Sequence, residues 1–395
     1  MNSKERVRAV LRGDLPDRVP WGEFAIDFDT VEKIIGHETY YRAKAKSQFA
    51  LWEGRRDEVV QSWKEDAIEL YRKLDSMDII TVSAMASSIA PPRGFTCEKP
   101  RKIDDNTWEY RSGKVIKYSS VTADLTTVYD PVVGTREYTL GDFEVEPSVE
   151  PPDESCFEVV DAIIEAFAGN RFIVGPAGHE IGIVLLGGSF EEGGGGFAHG
   201  LMQYYDNPET VRAAYRYEVV KNNKLDHHFI RSGQDGVFFA QQDFASTQGP
   251  FISPDMFREF ALPSISERVR HVHEGFGLPV FKHCCGNTTA LLDMFIEAGY
   301  DVYQSVQESS GLDIQSIQQQ YGDRMVPWGG LSVERLVSGT RDDVKKGVHS
   351  AMERLKPGGR FIFGSSHSIA VGTKYDNFMT MVEEFEKLRD YPSVK

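Results

Sequence analysis

The chain has 395 residues, 41% hydrophobic and 26% charged, with a formal net charge of −16. That length can bury a large core, as one big barrel or as two ordinary domains. The acidic balance argues against a nucleic-acid or anionic-membrane surface, because either would repel it. No apolar run approaches the roughly 18–20 residues that cross a bilayer, and the opening "MNSKERVRAVLRGDLPDR" lacks the apolar stretch of a signal peptide. Four cysteines, Cys97, Cys156, Cys284 and Cys285, are too few for a disulfide scaffold. The expectation is a cytoplasmic protein whose thiols are free or metal-bound.

In chain order, eight short segments begin apolar and end in polar residues or glycine. They are "VPWGEF" (19–24), "DIITVSA" (78–84), "RFIVGPAG" (171–178), "GVFFAQQD" (236–243), "LPVFKHCC" (278–285), "DVYQSVQ" (301–307), "RMVPWGG" (324–330) and "RFIFGSSH" (360–367). Runs of this kind read as parallel strands covered on both faces. Amphipathic stretches lie between the later ones, such as 253–275 and 340–359. The second has Thr340 as its N-cap and Gly358–Gly359 as its stop.

Strands alternating with helices predict an α/β fold, a (β/α)₈ barrel forming a single domain over residues 1–395. Residues 40–74 read as long helical material before the second strand. Residues 92–150 read as an antiparallel β excursion, with a hairpin turning at Ser112–Gly113. The stretch "EEGGGGFAHG" (191–200) is too glycine-rich for a helix interior and predicts a loop over the barrel mouth. It lacks GxxxxGK[ST] and is no phosphate-binding P-loop.

In such a barrel the site lies at the C-terminal strand ends. Those ends supply Glu23, Ser83, His179, Glu180, Gln241, Asp243, His283, Cys285, Gln304, Gln307, Trp328, Ser365 and His367. Side chains alternate along a strand, so His283 and Cys285 share one face and Cys284 takes the other. This geometry allows a 283/285 chelate and disfavours a redox pair of adjacent cysteines. Zinc suits a histidine nitrogen with a thiolate, and a catalytic site needs about three protein ligands. His367 is the expected third ligand, with Glu180 and Asp243 as second choices. Burial of His283 and Cys285 for packing alone is the bland alternative.

Four segments together resemble the uroporphyrinogen decarboxylase superfamily, and the resemblance spans nearly the whole chain. They are "RGDLPDRVPWGEF", "FKHCCGNTTALLDMFIEAGYDVYQSVQ", "YGDRMVPWGGL" and "LKPGGRFIFGSSHSIAVGTKYDN". The superfamily has a (β/α)₈ fold and two chemistries. Its metal-free decarboxylases carry an Arg-Gln-Ala-Gly-Arg motif near the N-terminus that grips substrate carboxylates. Here the region reads "EFAIDFD" (23–29), with no arginine between Arg18 and Arg42. Asp78 resembles the decarboxylases' substrate-binding aspartate.

The other branch comprises zinc-dependent methyltransferases that exchange methyl groups with a corrinoid protein or a thiol. Their ligands are His-x-Cys on the fifth strand and a Cys after the eighth. His283 and Cys285 match the first part, and His367 stands where the cysteine is expected. A histidine there makes the centre less negative and more Lewis-acidic, which suits an oxygen-bound methyl group.

The resemblance therefore implies Zn²⁺ held by His283, Cys285 and His367, with Glu180 or Asp243 handling a proton. Asp78, His179, Gln241, Gln304, Gln307 and Trp328 are the substrate-binding candidates. The aromatic residues Trp108, Tyr110 and Tyr118 read chiefly as ordinary cross-strand pairs of a solvent-exposed hairpin, with a wall for the donor or a docking face for the corrinoid protein as the functional alternative. The partners implied are a small-molecule methyl donor and a corrinoid (cobalamin) protein. No Asp-x-His-x-x-Gly motif occurs, so the corrinoid belongs to another chain, and homo-oligomerisation is left open. A metal-free decarboxylase and a non-catalytic corrinoid or tetrapyrrole binder are the competing expectations.

Overall fold

A computed structural model describes residues 1–82, 88–188 and 195–392. After β1 (Ile79–Thr81) come β2 (Arg101–Asp104), β3 (Thr107–Glu109), β4 (Val115–Ser119) and β5 (Asp124–Tyr129). Then follow β6 (Phe172–Gly175), β7 (Gly236–Phe239) and a small pair, β8 (Ala245–Ser246) and β9 (Gly249–Pro250). The chain continues with β10 (Val280–His283), β11 (Val302–Gln304), β12 (Val326–Leu331) and β13 (Ile362–Ser365).

Seven of these strands make one sheet in the order β1-β6-β7-β10-β11-β12-β13, and every neighbouring pair in it is parallel. Each arises from one of the apolar segments, because Val, Ile and Phe on consecutive positions bury both faces of a strand. The first segment behaves differently. Its Trp21 bridges Phe363 and its Gly22 bridges Ile79, both in the parallel sense. Residues 20–22 thus touch β13 on one side and β1 on the other, the two edges of the sheet.

Two apolar clusters occupy the two faces. The inner one contains Phe172, Phe238, Phe281, Val302, Trp328 and Ile362, with Val7 and Val10 of the helix Ser3–Arg12 packed against it. The larger outer one lies between strands and helices. Alternation decides the assignment: Phe281 belongs to the inner cluster, Val280 and Cys284 to the outer one.

The helix Arg341–Leu355 starts at Thr340 with a capping box to Asp343, as expected, and a short 3₁₀ turn carries it to Gly358. Residues 40–74 depart from the expected long helix. They form two, Lys44–Trp52 and Arg56–Lys73, because Gly54 takes a left-handed φ of 75° that no helix continues through.

The excursion holds a four-stranded antiparallel sheet, β2-β3-β4-β5, where a hairpin was expected. Its β3–β4 turn falls at Tyr110–Lys114, with Gly113 at φ 87°. In the glycine-rich stretch, Gly195 begins a helix that runs to Asp206, so its second half is helical where a loop was expected. Residues 191–194, like Ser83, lie outside the described residues.

Candidate metal centre

β10 ends on His283, whose imidazole faces inward and is 5% exposed. Phe24 stacks on it with ring centroids 4.1 Å apart. His283 Nδ1 donates to the Gln304 side-chain oxygen, and Gln304 is its register partner on β11. A carbonyl oxygen can only accept, so the proton sits on Nδ1 and Nε2 presents its lone pair. That lone pair faces Cys285 Sγ at 3.1 Å.

Cys285 is held by two further contacts. Its N–H donates to Asp243 Oδ1 at 2.7 Å, and its sulfur lies 3.2 Å from Ser305 Oγ. Ser305 is fully buried and holds a left-handed φ of 79°, a conformation that costs a non-glycine residue roughly 1–2 kcal/mol. Gly286 follows with φ 84°, and a Cβ there would meet the Ala245 carbonyl oxygen at 2.5 Å. Its N–H donates instead to Gln307 Oε1 at 2.9 Å. The glycine lets the chain turn tightly against the backbone of β8.

His367 arrives from the end of β13. Its ring meets that of His283 edge-on at 5.3 Å, and its Nδ1 lies 2.9 Å from Ser368 Oγ. Among the described residues, His283, Cys285 and His367 form a group whose ligand atoms all lie within 4.8 Å of one another. Burial, reinforced by His367, lowers the His283 pKa to about 3, and burial lowers that of His367 as well. Burial drives the Cys285 thiol far above its ordinary value. Two neutral imidazoles and a thiol disfavoured as an anion converge on one point. A divalent cation there would reverse the thiol's preference, since it binds thiolate and neutral imidazole. The donor set fits zinc.

The other expected residues divide. Gln304 and Asp243 stand beside the group, through hydrogen bonds with the His283 ring and the Cys285 amide, and Gln307 accepts from the amide of Gly286, the residue after Cys285. Glu180 does not. Its carboxylate faces the outer side of the sheet, 2.6 Å from Lys282 Nζ, and accepts from the Tyr300 hydroxyl at 2.5 Å. Burial pushes that carboxyl up, and Lys282 opposes the shift.

Trp328 is 0% exposed within the inner cluster and donates through Nε1 to the Gly22 carbonyl at 2.9 Å. It is core and not a pocket wall. Asp78 precedes β1, at the end of the sheet opposite His283, and is 0% exposed. It accepts from Ser3, Arg6, Arg18 and the Trp21 amide, so it is sealed away from the strand ends.

His179 has an exposed side chain and is fixed through its amide to Asn222 at 2.7 Å. Gln241 is exposed and accepts from the Glu180 and Ala240 amides. In the excursion, Trp108 and Tyr118 line a cleft of about 410 Å³ together with Phe28 and Phe49. Tyr110 packs on Trp52 instead.

Phe24, Ser305 and Lys282 escaped the reading of the sequence. Phe24 carried a signal, as the last apolar residue of its segment. A serine in a left-handed turn carried none.

Seven parallel strands in one sheet among the described residues, with a donor cluster at their C-terminal ends, place the fold among the barrel-like α/β enzymes. Residues 182–388 match the model of the uroporphyrinogen decarboxylase (URO-D) family, more than half of the chain. The protein belongs to that family. Comparison with curated proteins gave no match.

Among solved structures, a methyltransferase from Methanosarcina mazei is similar with a TM-score of 0.64 and 16% identity, over 98% of this chain and 99% of that one. A putative vitamin-B12 independent methionine synthase from Listeria monocytogenes gives a TM-score of 0.47 at 11% identity, over 95% and 97% of the two chains. The first likeness speaks for the fold, and the second is too distant to carry an argument. No helix of the described residues is long and apolar enough to cross a membrane.

Proposed function

We propose that this protein is a zinc-dependent methyltransferase that takes a methyl group from a small O-methyl donor and delivers it to a corrinoid carried by a partner protein. The observation that carries the reading is the convergence of His283, Cys285 and His367 at the strand ends. In this reading residues 20–22 act as the eighth strand, completing a (β/α)₈ barrel that makes residues 1–395 one domain with 92–150 inserted. The Methanosarcina methyltransferase of the same fold supports the reaction class.

Zn²⁺ held by these three residues would supply Lewis acidity toward the heteroatom that gives up its methyl group. The chain's own residues have separate tasks. Gln304 keeps the His283 proton on Nδ1, so that Nε2 stays available. Asp243, hydrogen-bonded to the Cys285 amide, takes the proton-handling role, and Gln307 holds the loop that shapes the donor's seat. Glu180 is not given a proton-transfer task, because both of its oxygens are committed within a closed network.

The charges near the N-terminus speak against a porphyrin substrate. Arg18 is spent on Asp78 at 3.1 Å and Arg42 on Asp27 at 2.8 Å. A substrate with many carboxylates needs cations that are not already paired within the protein.

Metal analysis of protein purified without added zinc tests the reading. About one equivalent is expected, lost in Cys285→Ala and in His367→Ala while the fold survives. A folded, metal-free wild type that releases CO₂ from a carboxylated substrate would instead establish the decarboxylase.

A further inference from the structure

Lys282 lies between Phe281 and His283 on β10 and points away from both, into the outer layer. Its ammonium donates to Glu180 Oε2 at 2.6 Å and to the Gln242 carbonyl at 2.9 Å. The ring of Phe244 lies 4.0 Å from Nζ. Both side chains of the ion pair are 0% exposed, and the Tyr300 hydroxyl closes the second oxygen of Glu180.

Glu180 belongs to the connection after β6, and Gln242 to the connection after β7. One side chain of β10 therefore ties together the C-terminal ends of the two strands before it in the sheet. Gln242 adds a second tie, its Nε2 donating to the Ile183 carbonyl at 3.0 Å. The residues after Gln242 then reach the donor cluster. Asp243 accepts from the Cys285 amide at 2.7 Å, and the Phe244 amide donates to Cys284 Sγ at 3.2 Å.

A buried ion pair is a poor source of stability, because desolvation offsets most of its attraction, and apolar residues of similar size often pack as well. What such a pair contributes beyond packing is direction. The ammonium donates to both loops and needs an acceptor of each within hydrogen-bond reach, Glu180 Oε2 and the Gln242 carbonyl, whereas apolar side chains would let the two loops slide.

We propose that Lys282 and Glu180 are positioning residues for the ligand-bearing end of β10. They set the Gln242–Phe244 segment in the register that holds Asp243 against Cys285, while His283 and Cys285 occupy the face of the strand opposite Lys282. This rests on the reading that His283 and Cys285 hold a metal.

The test replaces the pair by apolar residues, Glu180→Leu together with Lys282→Met. The double variant is compared with wild type as metal-free protein and on titration with Co²⁺. A thermal midpoint close to wild type is expected. Amide exchange at Phe244 and Cys285, whose N–H groups donate to Cys284 Sγ and Asp243 Oδ1, should be about ten-fold faster or more. Co²⁺ affinity should fall by about ten-fold, with a shifted thiolate-to-cobalt absorption band.

A folded double variant with wild-type exchange and a wild-type cobalt spectrum overturns the proposal. If the double variant does not fold, Glu180→Gln takes its place, since it keeps the size and one acceptor. Faster exchange at the same amides then supports positioning, and wild-type protection overturns it. Exchange is read without metal. A wild type that fails to bind Co²⁺ would therefore sink the metal reading, while exchange still decides the role of the pair.

Discussion

Phe24 lies flat against the imidazole of His283, with the two ring planes 15° apart. The same phenyl ring packs on Phe238 of the inner cluster at 5.3 Å and meets His367 edge-on at 6.2 Å. It is both the top layer of the barrel-like core and the floor of the donor cluster. Phe24→Ala should cost about 3–5 kcal/mol of stability by opening a cavity. Phe24→Leu should keep stability within about 1.5 kcal/mol while weakening metal binding several-fold. Denaturant unfolding and chelator competition measure the two effects. Undiminished affinity in Phe24→Leu would mean that the flat ring has no part in holding His283.

Gln304 fixes the tautomer of His283. Gln304→Leu keeps much of the volume and removes the acceptor, so the imidazole loses its orientation. Metal affinity should drop by about 10–100-fold. Competition with a chromophoric chelator reads this directly, and an unchanged constant would refute the role.

The two adjacent cysteines should behave differently. Cys284 is fully buried in the outer cluster and accepts from the Phe244 amide at 3.2 Å. Cys284→Ala should cost about 1–2 kcal/mol and leave metal content intact. Cys285→Ala should abolish metal binding. Metal content and unfolding curves on both variants separate the roles, and metal loss in Cys284→Ala would contradict the assignment.

Stability of the metal-free protein should fall with acid. His283 has an ordinary value of 6.5 in the unfolded chain and about 3 when folded, chiefly through burial. Between those values the unfolded state binds the extra proton, so stability is full above about pH 6.5 and is lost as pH falls toward 3. His283→Leu should flatten that part of the profile. Equilibrium unfolding from pH 7 to pH 4 provides the check, and an unaltered slope would count against it.

Glu23 has the opposite sign. Burial raises its carboxyl from 4.5 to about 7, against the pull of hydrogen bonds from Ser365 and Trp21. Its contribution is whole below about pH 4.5 and is lost as pH rises through 7. Glu23→Gln should therefore gain stability relative to wild type between pH 5 and pH 8. A difference that stays constant across that range would exclude the linkage.

The eight apolar segments were legible because burial on both faces leaves a continuous hydrophobic run, and each produced a strand or, at residues 20–22, a pair of bridges. The alternation of His283, Cys284 and Cys285 was legible for the same local reason. The fates of Trp328, Asp78 and Glu180 were not. A polar or aromatic residue near a strand end reads alike whether it lines a mouth, fills the interior or closes an ion pair, because that choice depends on which distant residue arrives opposite. For Glu180 the decisive neighbours, Lys282 and Tyr300, are more than a hundred residues away.

Sequence alone determined the parallel α/β class, the family and the facing of His283 with Cys285, since period and local spacing are written along the chain. Only the tertiary structure decided that His367 closes on that pair, that Phe24 supports it, and that Glu180 turns outward to Lys282. The first two follow from the sheet bringing its first, fifth and last apolar segments together, and the third from the packing of the β6 connection on the outer face of β10.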